Sequence, residues 1–66
     1  MEYTNSQMKA VIEDWVHSIR DREILFSRYI DGLTFEALAE KHGLSVRHVK
    51  TIVYKYEQVI FSHLPG

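Results

Sequence analysis

Apolar residues recur at a helical period along nearly the whole chain, and the only proline, Pro65, lies next to the last residue. Spacings of i, i+3, i+4 and i+7 mark the buried stripe of an amphipathic helix, which an internal proline would interrupt. The stripes predict four helices, over roughly residues 6–18, 20–31, 35–42 and 46–62. We therefore expect an all-α fold, a compact four-helix arrangement in which residues 1–66 form one domain.

Polar residues and glycines indicate where these helices begin and end. The candidate N-caps have a side-chain oxygen that can accept a bond from a free helix N–H, and they are Thr4, Asn5 or Ser6, then Ser18, Thr34 and Ser45. Gly32 and Gly43 follow the second and third helices, where a residue that tolerates positive φ ends a helix.

The helix within residues 1–19 has one continuous apolar stripe, made of Met8, Val11, Ile12, Trp15, Val16 and Ile19. We expect this stripe to face the core, so that Trp15 is a core residue and not a binding platform. The carboxylates of Asp21 and Glu23 belong to the next helix, where we expect them to face water.

The segment from Thr34 to Tyr54 fits a helix-turn-helix, in which two helices meet at a steep angle across a tight joint. Such a joint needs a small residue where the helices touch, here Ala39, and a residue that allows a left-handed turn, here Gly43. Apolar residues must line the inner side of the unit, and they are present at Leu38, Leu44, Val49 and Ile52. The helix-turn-helix therefore lies in the C-terminal half of the chain.

These motifs resemble a known family. The residues that carry the resemblance are 22–25 (REIL), 29–34 (YIDGLT), 38–40 (LAE), 43–45 (GLS) and 47–50 (RHVK). With them, residues 20–64 resemble region four of bacterial sigma factors and the related LuxR-type domains, including small phage or mobile-element regulators. The chain departs from that pattern at His42, at His48 and in the apolar and aromatic stretch 52–61. The resemblance implies a DNA-binding transcriptional regulator, with RNA polymerase as a further partner.

A recognition helix over about 46–62 would place its outward N-terminal residues against base edges in the major groove. Arg47 suits a guanine, whereas Val46 and the Thr51 methyl suit a thymine methyl. Phosphate contacts are expected from Lys50 and Lys55, and from the hydroxyls of two helix caps. The full predicted DNA-binding set is Thr34, Ser45, Val46, Arg47, Lys50, Thr51, Tyr54 and Lys55, with Tyr54 also able to pack inward.

Charge is distributed unevenly along the chain, although the net charge is only −1. Residues 1–40 contain four basic and eight acidic side chains, whereas residues 41–66 contain four basic side chains and one acidic side chain. The C-terminal part is therefore the cationic part, as expected if it faces nucleic acid.

Other kinds of function find little support in the residues. There is no cysteine, and the spacing of His17, His42, His48 and His63 matches no zinc site. No phosphate-binding loop or nucleophile–base pair occurs, so we expect no enzyme activity and no cofactor. No apolar run is long enough to cross a bilayer, and the lack of cysteine favours a cytoplasmic protein.

The alternative hypothesis is a protein-interaction module with weak or no DNA binding. Val59, Ile60, Phe61 and Leu64, together with Tyr3, exceed what one small core is expected to bury. Such a surface would serve a homodimer or a contact with RNA polymerase or another regulator. Added salt should weaken DNA binding steeply and leave an apolar interface nearly unchanged.

Overall fold

The computed structural model describes residues 3–64, so the outermost residues of the expected 1–66 domain, including Pro65, lie outside the described part. It contains four helices, α1 (Asn5–Trp15), α2 (Ile19–Tyr29), α3 (Phe35–His42) and α4 (Val46–His63), and residues 3–64 form no strand. The long α4 packs against each of the other three helices, which places it at the centre of the fold. The expected all-α, four-helix fold is confirmed.

Each helix begins at a side-chain cap, as the sequence predicts. The hydroxyls of Ser18, Thr34 and Ser45 accept bonds from the backbone N–H three residues later, at 3.0–3.3 Å. Of the three candidates for α1 the cap is Thr4, whose backbone N–H in turn donates to the Gln7 side chain at 2.7 Å. Because these caps satisfy otherwise free donors, they fix the residue at which each helix starts.

The core is one cluster of aliphatic side chains contributed by all four helices. Its buried members are Met8, Ile12, Val16, Ile24, Leu25, Leu38, Ala39, Val49, Ile52, Val53 and Ile60. Every helix therefore turns one stripe inward, as its apolar period predicts. The buried residues of α4 are spread from its first turn to its last. The core therefore determines which residues of α4 face outward.

The first helix is shorter than expected, and this corrects the positions of two apolar residues. It ends at Trp15, because Val16 has an extended backbone and the Arg22 guanidinium donates to the carbonyls of Glu13 and Val16. Trp15 is therefore 47% exposed and stacks on the His63 ring, with ring centroids 3.9 Å apart. Ile19 is 71% exposed because it opens α2 on the side opposite its buried residues.

Asp21 is buried, and the expectation that it faces water is wrong. Its Oδ2 accepts a bond from the Tyr56 hydroxyl at 3.0 Å, and its Oδ1 accepts two bonds from the Arg20 guanidinium at 3.2 Å. The carboxylate also lies in the first turn of α2, where the helix dipole favours negative charge. These contacts tie the start of α2 to the middle of α4.

Candidate nucleic-acid interface

The joint between α3 and α4 has the tight geometry that a helix-turn-helix requires. Only residues 43–45 separate the two helices, and Gly43 adopts a left-handed conformation with φ 67° and ψ 33°. The N–H groups of Gly43 and Leu44 both donate to the carbonyl of Ala39, which closes the end of α3. A side chain other than glycine is strained at this φ, so the glycine is what allows the chain to reverse here.

The long helix of this unit has two well-separated faces. Its buried residues Val49, Ile52, Val53 and Ile60 occupy an arc of about 100° when residues are plotted 3.6 to a turn. On the opposite arc of about 100° lie Arg47, Lys50, Thr51 and Tyr54, and all four are exposed. We call these four residues the outer face of α4. From another helix, the ring of Phe35 at the start of α3 touches Lys50 and Tyr54 of this face.

The remaining residues of the predicted set flank this face. Thr34, Ser45 and Lys55 are exposed, whereas Val46 is partly buried and packs against the core. The hydroxyl of Thr51 donates to the carbonyl of Arg47 at 3.0 Å, so its bonding capacity is partly used within α4. The structure thus brings Arg47, Lys50, Thr51 and Tyr54 together on one face, with Thr34, Ser45 and Lys55 exposed beside it, and their contacts with DNA stay a prediction.

The starts of α3 and α4 add backbone donors on the same unit. Each cap hydroxyl accepts a bond from the third N–H of its helix, at Ala37 and at His48. The first N–H groups of a helix have no partner inside the helix and carry the positive end of its dipole. A phosphate oxygen is a suitable acceptor for such groups.

Sequence reasoning missed an aromatic contact between α3 and the outer face of α4. Phe35 is partly buried, and its ring lies edge-on to Tyr54 with centroids 5.8 Å apart. The Lys50 ammonium lies 5.6 Å from the centre of the same ring, and the Arg28 guanidinium lies 4.2 Å from it. The proximity of these residues depends on how α2, α3 and α4 cross, which no local pattern encodes.

The cations of the outer face are not neutralised by nearby carboxylates. Within residues 3–64 the one ion pair shorter than 4.0 Å joins Arg20 to Asp21, on the α2 side of the molecule. Arg47 and Lys50 of the outer face, and the flanking Lys55, are therefore exposed without an ion pair within residues 3–64, which suits a polyanion.

The other polar groups do not form a metal or catalytic centre within the described residues. No group of three or more His, Cys, Asp or Glu side chains there is placed to hold a metal ion. Burial, together with the negative charge of Glu57, raises the pKa of Tyr29 to about 12, and the Tyr29 hydroxyl has no hydrogen-bond partner among residues 3–64. In the same range no helix is long and apolar enough to cross a membrane.

The capped joint at Gly43 and the open cationic face of α4 define a helix-turn-helix domain. Comparison with protein families matches residues 18–55 to sigma-70, region 4, and the chain belongs to this family. The match begins at the N-cap of α2 and ends within α4, so α1 and the last two turns of α4 lie outside it. No curated protein and no solved structure matches the chain. Membership supports a function of the DNA-binding or regulatory type.

Proposed function

We propose that this domain binds double-stranded DNA at specific sequences and regulates transcription, with α4 as the recognition helix in the major groove. The observation that carries the proposal is the outer face of α4, where two cations, a threonine and a tyrosine lie exposed opposite the buried stripe. The proposal involves neither catalysis nor a cofactor. In this proposal residues 1–66 form a single domain that acts in the cytoplasm.

The residues of this face suit different parts of the duplex. Arg47 lies in the first turn of α4, where recognition helices meet base edges, and its guanidinium can donate two bonds to a guanine. The Thr51 methyl suits a thymine methyl, because the Thr51 hydroxyl is bonded to the Arg47 carbonyl, and the part of Val46 that the core leaves exposed suits another. Lys50, Lys55, and the capped helix starts at Thr34 and Ser45 suit phosphates.

The test is fluorescence anisotropy with labelled duplex DNA at several salt concentrations. Wild-type affinity should fall steeply with salt, and Lys50→Ala should reduce the slope of log K against log salt by about 0.9 for each phosphate that the domain no longer neutralises. Arg47→Ala should instead reduce discrimination between a duplex selected from a random pool and the pool itself by roughly 1–3 kcal/mol.

A matched control is Lys9→Ala, which removes an exposed positive charge from α1 and leaves the outer face of α4 intact. We expect its salt slope to equal that of the wild type. Equal slopes for Lys9→Ala, Lys50→Ala and wild type would contradict the assigned interface.

A second candidate function is a protein-interaction module, which the exposed apolar side chains favour. Val59 and Phe61 are exposed as expected, and Trp15 and Ile19 add to them, whereas Tyr3 and Leu64 are partly buried against the core and Ile60 is fully buried. Exposed apolar side chains of this kind suit contact with a second copy of the chain, RNA polymerase or another regulator. Light scattering across a range of protein concentrations tests the homodimer, and an apolar interface should persist at salt concentrations that abolish DNA binding.

A further inference from the structure

The aromatic contact between α3 and α4 centres on Phe35, the first residue of α3. Its ring packs on the core from one side, and the Arg28 guanidinium lies 4.2 Å from the ring centre. Arg28 is itself anchored, because its Nη1 donates to the Leu33 carbonyl at 2.8 Å. The Phe35 ring is therefore held by Arg28 of α2 and by the core, in addition to its contacts with Lys50 and Tyr54.

Two residues of the outer face of α4 rest on this ring. Tyr54 approaches edge-on at 5.8 Å and 70°, a favoured arrangement of two aromatic rings. The Lys50 ammonium lies 5.6 Å from the ring centre, within the range of a cation–π contact. Lys50 and Tyr54 are one helical turn apart, so a single ring restrains the two neighbouring side chains.

We propose that Phe35 is a positioning residue for DNA binding, holding Lys50 and Tyr54 in the orientation in which they meet the duplex. This inference rests on the proposed function. Lysine has a long flexible side chain, and its ordering on binding opposes affinity, as does that of the tyrosine. A side chain already held on a ring loses less freedom when it binds, so the ring raises affinity without contributing a charge or touching a base.

This role predicts an effect on affinity that is separate from charge. Phe35→Leu keeps an apolar side chain in the core and removes the aromatic ring, so we expect DNA affinity to fall roughly three- to tenfold. The salt slope should stay that of the wild type, because Lys50 is still present. Phe35→Tyr retains the ring and should restore affinity to within twofold.

The experiment measures anisotropy with a selected duplex at several salt concentrations for wild type and for Phe35→Leu, Phe35→Tyr and Tyr54→Leu, with circular dichroism to confirm helicity. The matched control is Phe26→Leu, which removes another partly buried aromatic ring that packs on the core, from α2. We expect this control to bind within twofold of wild type.

The double variant Phe35→Leu/Tyr54→Leu separates positioning from general packing. If Phe35 acts through Tyr54, its substitution should cost less in the Tyr54→Leu background than in the wild type. The inference alone would be overturned if the wild type binds DNA and Phe35→Leu binds with the same affinity, or if Phe35→Leu and Phe26→Leu lose affinity equally. Absence of wild-type binding at every salt concentration would overturn the proposed function and the inference together.

Discussion

Replacing Tyr56 by phenylalanine removes one hydroxyl from the contact between α4 and α2, and we expect a loss of stability of about 1.5–3 kcal/mol. The hydroxyl donates to Asp21 Oδ2 at 3.0 Å, and the Asp21 side chain is only 9% exposed. Without the hydroxyl, that carboxylate oxygen has no replacement donor among residues 3–64, and little water can reach it. A hydrogen bond to a charged group contributes more than a neutral one, which sets the size of the loss.

The assay is thermal and urea unfolding followed by circular dichroism. For a chain of 66 residues each kcal/mol corresponds to about 7 °C in Tm, so Tm should fall by roughly 10–20 °C. The matched control is Tyr54→Phe, because the Tyr54 side chain is 55% exposed and its hydroxyl makes no hydrogen bond within residues 3–64. We expect its stability to lie within about 0.5 kcal/mol of wild type. Equal Tm values for Tyr56→Phe and Tyr54→Phe would refute the reasoning.

Three further predictions concern the backbone joint, a buried hydroxyl and the end of α1. Gly43→Ala should destabilise the domain by about 1–2 kcal/mol in urea unfolding, and Gly43→Asn by less, because φ is 67° and asparagine tolerates that conformation better. Tyr29→Phe should be neutral or stabilising by up to about 1 kcal/mol at pH 7, because the hydroxyl is buried without a partner. Since the pKa of Tyr29 is about 12 when folded and about 10 when unfolded, the stability of the wild type should fall between those pH values by up to about 2 kcal/mol more than that of Tyr29→Phe. Arg22→Ala should raise amide exchange at the end of α1, measured by NMR, because it frees the carbonyls of Glu13 and Val16.

The helix-turn-helix could be predicted from the sequence because its determinants are local. The bounds of α3 are those expected, and α4 begins where expected and ends one residue later. Thr34 and Ser45 start the two helices, and Gly43 ends α3, each through interactions within four residues along the chain. Local determinants of this kind act almost independently of the rest of the fold.

The errors have the opposite character, because each depends on packing between distant residues. Trp15 continues the apolar period of α1, but the helix ends at this residue. The Arg22 guanidinium, seven residues further along the chain, donates to the carbonyls of Glu13 and Val16. The local sequence places Asp21 at the surface, whereas in the fold its carboxylate accepts a hydrogen bond from Tyr56 of α4. The contact between Phe35 and Tyr54 joins α3 to α4 and is likewise absent from any local pattern. A periodic pattern assigns a residue to a face and cannot say which residue of another helix will meet it.

The net charge of −1 is a poor guide to the proposed function, because a polyanion responds to the charges that lie close to it. The Debye length at physiological salt is about 8 Å, whereas the domain is 32 Å long. Acidic side chains that lie farther than this length from the outer face of α4 are therefore screened by salt. Adding two carboxylates on the exposed side of α1, as in Asn5→Asp/Ser6→Asp, should change DNA affinity little, whereas one added at Thr51 should weaken it severely. If the α1 double variant and the Thr51 variant weaken DNA binding equally in the anisotropy assay, overall charge governs binding and the outer face of α4 is not the interface.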